Sequence, residues 1–353
     1  MTRPRAGRIV SVDVMRGATI AAMVIVNNPG SWVHVFGPLS HAPWHGCTPT
    51  DLIFPFFLFV AGVSAGIALP GAAHPAPRIL RRVAILFALG LLLNGFPGYH
   101  LATLRVMGVL QRIAVCYGLA SIAVLTLPRV GQAALAAVLL LAYWAMLAAV
   151  PAPGHPPFDL TRDGCLPGFV DRAVLGRNHL WEQGPIDPEG ILSTISALGT
   201  TLCGCVAGAL LREGATASRA IAFSLAGAGA TAAGWVWSRI LPLNKSLWTS
   251  SYALFTAGIA LLALAVAILL FDLGASRRLA MPFEVFGRNA ILLFVGSGVL
   301  ARLIGRPRAF VFKHALAPLL GPLAGSLAWA ILLLLLYWLL LLPLYRRRGF
   351  LVL

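Results

Sequence analysis

Apolar runs long enough to cross roughly 30 Å of hydrocarbon recur from one end of the sequence to the other, near 9–29, 51–70, 83–98, 106–127, 130–150, 191–211, 217–237, 248–271, 285–304 and 325–345. No water-soluble core hides that much apolar surface: 59% of the 353 residues are hydrophobic and only 11% charged, with a mean hydropathy of +0.86. The chain needs lipid as its solvent. The expected fold is all-α, a polytopic helical bundle of about ten transmembrane helices forming one domain over 1–353. The first run follows Arg3, Arg5 and Arg8, but Asp13 and Arg16 interrupt it and no small-x-small cleavage pattern follows, so it reads as a retained span and not a signal peptide.

The formal charge of +16 would point to nucleic acid in a soluble protein. Here the arginines sit in short runs between spans, which points instead to membrane lipid and topology, with no nucleic-acid partner. Fourteen basic residues fall in segments read as cytosolic, among them Arg3, Arg5, Arg8, Arg78, Arg81, Arg82, Arg277, Arg278 and Arg346–Arg348, against ten on the other side. The bias places both ends in the cytosol and the non-apolar stretch 151–190 outside, as an ordered loop able to cap a site. The segment 305–324, with Arg306, Arg308, Lys313 and His314, is too broken to cross and reads as re-entrant or interfacial. Five scattered cysteines suit neither a zinc site nor a redox pair, and no metal is expected. Gly199, Gly204 and Gly208 point to close helix packing.

Ionisable groups at membrane depth are costly, so each needs a partner or a task. Asp13 and Arg16 stand three apart on the first helix, as an intrahelical ion pair or as part of an anion site. Asn27-Asn28-Pro29-Gly30 closes that helix, Thr48-Pro49-Thr50-Asp51 opens the next, and His41-Ala42-Pro43-Trp44-His45-Gly46 lies between them. Asp51 is either a first-turn acid of the second span or the group that fixes the tautomer of His41 for proton transfer. Gln111-Arg112 and Arg288-Asn289 fall inside later spans. Arg16, Arg112 and Arg288 together outnumber the intramembrane acids read as available to them, and an anionic ligand would supply the missing charge. Asp187 and Glu189 head the sixth span, where capping is the plain account. Lys245 and Trp248 precede the eighth, where anchoring at the membrane surface is the plain account.

These segments, in this order, resemble the transmembrane acetyltransferase family typified by heparan-α-glucosaminide N-acetyltransferase and its bacterial relatives. The resemblance rests on Ser11–Gly17, Val26-Asn27, His41–Gly46 with Asp51 and Phe54-Pro55, Gly108–Arg112, Asp187–Gly190, Asn244–Trp248 and Gly287–Asn289. It implies transfer of acetyl from cytosolic acetyl-CoA to the amine of a glucosamine-type sugar on the far side of a bacterial inner membrane, by a chain expected to form a homodimer. It puts the catalytic histidine on His41, as base or transient acyl carrier, and the neighbouring asparagine on Asn27. Arg16, Arg112, Arg288, Gln111 and Asn289 are then expected to bind acetyl-CoA, and Asp51, His45, Trp44, Asp187, Glu189, Asn244, Lys245 and Trp248 the amino-sugar acceptor. Two departures stand out: the family's His-Ala-Ser-Trp-Asn-Gly motif has Pro43 and His45 here. The chain is also read as lacking the extra lumenal domain and leading span of the animal enzyme. The rival reading is an amino-sugar permease without acyl-transfer chemistry.

Overall fold

The structure, a computed structural model, describes residues 9–274 and 277–347. Arg3, Arg5, Arg8 and Arg348, counted above for sidedness, lie outside the described residues. In chain order the helices are α1 Val10–Asn27, α2 Ile53–Ala68, α3 Pro75–Gly95, α4 Val109–Thr126, α5 Arg129–Ala149, α6 Leu166–Leu175, α7 Thr194–Leu211, α8 Ala217–Trp237, α9 Ser250–Ala267, α10 Arg277–Arg288, α11 Ala290–Leu303, α12 Gly305–Val311, α13 Ala317–Leu320 and α14 Pro322–Arg346. No strand occurs among the described residues.

Among the described residues, eight helices are long and apolar enough to cross a membrane, or nine if α10 and α11, bent by 65° at Asn289, cross as one broken span. Ten runs were expected. The difference is the run 83–98, which belongs to α3: Arg78, Arg81 and Arg82 occupy the first turns of that helix and leave Val83–Leu93 as its apolar part. The whole helix has 21 residues, about 31 Å at 1.5 Å per residue, with those arginines near one end.

The chain divides into two compact units. The first comprises residues 54–266 with Trp44–Gly46. Within it α5 packs along α7, α3 along α4, and α4 against α7. The expected close packing through Gly204 and Gly208 is present, and α2 supplies a matching pair. A Cβ on Gly204 or Gly208 would collide with the backbone of Phe59 or Val63, and one on Gly62 or Gly66 with the backbone of Thr201 or Cys205. Small residues four apart on both helices let the two backbones touch, which maximises dispersion contact where lipid provides no hydrophobic drive for association. The segment 151–193 carries α6 and two 3-10 turns, Arg177–His179 and Trp181–Gln183.

The second unit comprises, among the described residues, 9–43, 47–53, 267–274 and 277–347. Its centre is α1, buried along most of its length and packed against α10, α11 and α14. The helix starts without a local cap. Instead the Asp272 carboxylate accepts the Val10 N–H at 2.8 Å, an acid answering the donors and positive dipole of a helix start. It stops at Asn27 because Pro29 cannot continue it. The segment 305–324 is helical through α12, a π-helical turn Phe312–Leu316 and α13, and ends at Gly321, whose φ of +81° suits glycine.

Replacing Gly204 by Leu should force α2 and α7 apart and cost about 1–3 kcal/mol, read as a lowered midpoint of thermal unfolding in detergent. Gly229→Ala, where a Cβ meets nothing within 4 Å, should leave that midpoint unchanged or slightly raised.

Candidate active site

The second unit assembles the loop histidine around one carboxylate. Pro49 opens a 3-10 turn, Pro49–Leu52, which leads into α2. Asp51 in that turn is 1% exposed, and its Oδ1 lies 2.6 Å from Nδ1 of His41, whose side chain is 51% exposed. The Oδ2 atom accepts the N–H groups of Ala42 and Thr48, both at 3.0 Å. The Thr48 hydroxyl donates to the Ser40 carbonyl at 2.7 Å and the Thr50 hydroxyl to that of Pro38 at 3.1 Å. Both plain readings of Asp51 therefore hold together: it is the first-turn acid and also the partner of His41. A neutral ring that gives its Nδ1–H to a carboxylate carries its lone pair on Nε2, and the buried charge steadies the ring once protonated. Asn27 is exposed at the end of α1, against which the 3-10 turn packs.

The same unit brings together two motifs some 270 residues apart. A Cβ on Gly17 would strike the backbone of Phe283, and one on Gly287 the backbone of Asp13, so α1 and α10 cross in direct contact. Asp13 and Arg16 of α1 form an ion pair at 3.1 Å. On α10, Arg288 lies 3.6 Å from Glu284 and over the Tyr345 ring at 4.9 Å, and the Tyr345 hydroxyl donates to Glu284 at 2.6 Å. This corrects the expectation for Arg288 alone: Glu284, left out of that reckoning, lies one turn away. Asn289 is buried at the break before α11, its amide donating to the Val285 carbonyl at 3.4 Å.

Arg112 falls in the first unit. It is fully buried in the first turn of α4, donates to the Gly190 carbonyl at 2.9 Å and to the Ser193 hydroxyl, and lies 5.2 Å from the Trp248 ring centre. Its Nε and Nη1 have no hydrogen-bond partner among the described residues, nor does the amide of buried Gln111, which packs against Gly90. Three elements hold the segment 187–193. Arg105 grips Asp187 at 2.6 and 2.8 Å and Glu189 at 2.5 Å. Asp171 accepts the N–H groups of Ile191 at 2.8 Å and Asp187 at 3.4 Å. Arg112 takes the carbonyl between them. Capping by Asp187 is not observed: α7 begins at Thr194, and Asp187 receives the backbone N–H groups of Trp181 and Glu189 instead.

Trp248 is another correction. It is fully buried, edge-on to Phe54 and Tyr252, so it is no interfacial anchor. Its indole N–H donates to Thr200 at 3.3 Å. Asn244 organises the turn by accepting the Leu247 N–H at 2.8 Å, and its amide donates to Nδ1 of His45 at 3.3 Å. Lys245 lies in the same turn, partly buried. Burial lowers the pKa of His45, favouring the neutral ring that this bond requires. Trp44 is capped by Arg162 at 5.1 Å and donates to the Leu160 carbonyl at 2.9 Å. All five cysteines are free thiols. Sequence reasoning missed Arg105 and Asp171. Asp171 sits between the apolar Phe169-Val170 and Arg172 of α6, a signal that was there to read.

Burial, with the Asp187 carboxylate adding to it, pushes Asp171 up to about 6 against the pull of its N–H donors; an unfolded aspartate titrates near 4. Between those values the folded chain holds a proton that the unfolded chain releases, so this group lowers stability as pH rises from about 4 to about 6. Asp171→Asn should flatten that part of the profile of unfolding midpoint against pH, measured in detergent.

Residues 8–164 match the family model "Heparan-alpha-glucosaminide N-acetyltransferase, catalytic". The chain is 28% identical over 355 aligned residues to the heparan-alpha-glucosaminide N-acetyltransferase of Homo sapiens, covering 83% of this chain and 53% of that protein. It is 26% identical over 370 to that of Mus musculus, covering 84% and 54%. The chain thus spans about half the length of the curated relatives it matches. Residues 8–164 thus resemble the catalytic domains of heparan-alpha-glucosaminide N-acetyltransferases, and distant homology to those enzymes extends over most of the chain.

Proposed function

We propose that this multi-pass membrane protein transfers acetyl from cytosolic acetyl-CoA to the amine of a glucosamine-type sugar on the opposite side of a bacterial inner membrane. The observation that carries the reading is the 2.6 Å contact between His41 Nδ1 and the buried Asp51 carboxylate, on a ring that is half exposed. In direct transfer, the amine nitrogen bonds to the acetyl carbon, the carbon–sulfur bond breaks, and the amine proton passes to His41 Nε2 and then to the departing thiolate. In the two-step route, Nε2 takes the acetyl group first and the amine displaces it. Both routes use the same residues. Asn27 supplies an amide donor for the tetrahedral oxyanion.

Arg16 and Arg288, beside the α1–α10 crossing, are suited to the phosphates of CoA, which would replace Asp13 and Glu284 as their partners. From Arg16 to Asn27 is eleven residues of helix, about 17 Å, a length that an extended pantetheine arm covers. Gln111, Arg112 and Asn289 complete the proposed cofactor set. Trp44, His45, Asn244, Lys245 and Trp248, with Asp187 and Glu189, form the proposed acceptor set. In this set Asp187, Glu189 and Trp248 act by shaping the surrounding turns. The charge bias supports both termini inside and 151–190 outside, a topology in which α3 also crosses with Arg78, Arg81 and Arg82 at its cytosolic end, and the proposal includes a homodimer.

His41→Ala should lower acetyl transfer by about 10²–10⁴-fold while lowering the unfolding midpoint only modestly, since the ring is half exposed and Asp51 keeps the N–H groups of Ala42 and Thr48. The measurement is thioester consumption in proteoliposomes supplied with acetyl-CoA and glucosamine. Activity near that of the parent protein would move the role to His45. Consumption absent from the parent protein itself would favour the permease.

Arg112→Ala should weaken acetyl-CoA binding about tenfold by calorimetry on folded protein. Unchanged affinity would assign Arg112 wholly to holding Gly190 and Ser193.

A further inference from the structure

The helical stretch 305–320 presents four side chains on one exposed face. Arg306, Phe310, Lys313 and His314 stand at i, i+4, i+7 and i+8, the spacing that aligns side chains along a helix. All four are exposed, Phe310 to 66%, and its ring lies 4.7 Å from that of His314. The other side of the stretch is pinned. The Phe312 ring lies 6.0 Å from that of His34, and after the turn at Gly321 the Gly325 backbone comes against Leu316.

Two further observations define what fits this face. No Asp or Glu occurs anywhere after Glu284, whereas Arg288, Arg302, Arg306, Arg308, Lys313 and Arg346–Arg348 do. The cations near the face therefore have no acidic partner in their own stretch of chain: exposed Arg302 turns to a backbone carbonyl, that of Gly298 at 2.8 Å. The second is the apolar surface beside them, where Leu303, Leu319 and Leu320 are exposed to 61%, 79% and 53%. Cations with an aromatic ring, flanked by bare leucines on a multi-pass chain, match the chemistry of a bilayer interface. The leucines and ring enter the acyl boundary, and the cations reach phosphate.

We propose that the face formed by Arg306, Phe310, Lys313 and His314 docks on the anionic headgroups of phospholipids in the adjoining leaflet. The helix lies in the plane of the interface, with Arg306 and Lys313 selecting negatively charged lipid. Acetyl transfer plays no part in this inference.

The test uses the full chain with Cys47→Ser and Cys203→Ser, and a bimane label on Ala309→Cys, an exposed position beside the face. The protein is reconstituted in phosphatidylcholine vesicles carrying a fixed minor fraction of brominated lipid, either phosphatidylglycerol or phosphatidylcholine. At low salt the phosphatidylglycerol should be enriched around the label by about fivefold per engaged cation, seen as stronger quenching. Arg306→Gln with Lys313→Gln should abolish the difference, as should salt of about 1 M, where the screening length falls to about 3 Å. Equal quenching by the two lipids at low salt, or a preference that survives high salt, overturns the proposal. The salt arm needs only the labelled chain with Arg306 and Lys313 in place, so it decides the matter even if the double variant fails to fold.

Discussion

A single buried carboxylate organises the loop between the first two long helices. Asp51 takes a ring nitrogen of His41 on one oxygen and the backbone N–H groups of Ala42 and Thr48 on the other. Each contact alone has a familiar purpose, such as capping a helix start, closing a loop or fixing a tautomer. Placed on one group they become interdependent. The loop cannot leave the helix without stranding a buried charge, which costs several kcal/mol, and His41 inherits the rigidity of a helix terminus despite sitting in a loop. A base held in this way needs no reorganisation before it accepts a proton.

The first unit uses buried charge differently. Arg105, Arg112 and Asp171 saturate the donors and acceptors of 187–193 from three sides, and Gly190 is required there because a Cβ would collide with the Asp171 carboxylate. Acids that look available for a ligand in the sequence are engaged in structure. That changes the meaning of Asp187 and Glu189: their removal would strand Arg105, a loss of scaffold first and of any acceptor contact second.

Glycine-lined crossings set how the polar residues meet. The contact of α1 with α10 through Gly17 and Gly287 puts two motifs on one crossing in the second unit, and within the first unit α2 and α7 meet through Gly62, Gly66, Gly204 and Gly208. Close backbone approach in lipid rewards dispersion and not the exclusion of water, so a single side chain at one of these positions has no cheap way to be accommodated.

The sequence by itself determined that the chain is helical and membrane-embedded, because the length of an apolar run and the cost of exposed backbone in lipid are local properties. It also picked out the residues around His41, since a cluster of polar groups at a span boundary is visible in one dimension. Its count of about ten spans differs from the eight or nine candidate spans by the run in α3, where three arginines in one helix shorten the apolar part without interrupting the run that follows. It misjudged Trp248 as an anchor, and it left Arg288 without an acid although Glu284 lies one turn away. Only the tertiary structure decided that Asp51 serves His41 and the helix start at once, that Asp187 and Glu189 belong to Arg105, and that Trp248 is core. Partner choice between buried charges is a long-range matter: many pairings satisfy the same local pattern, and the packed backbone alone brings one of them within hydrogen-bond distance.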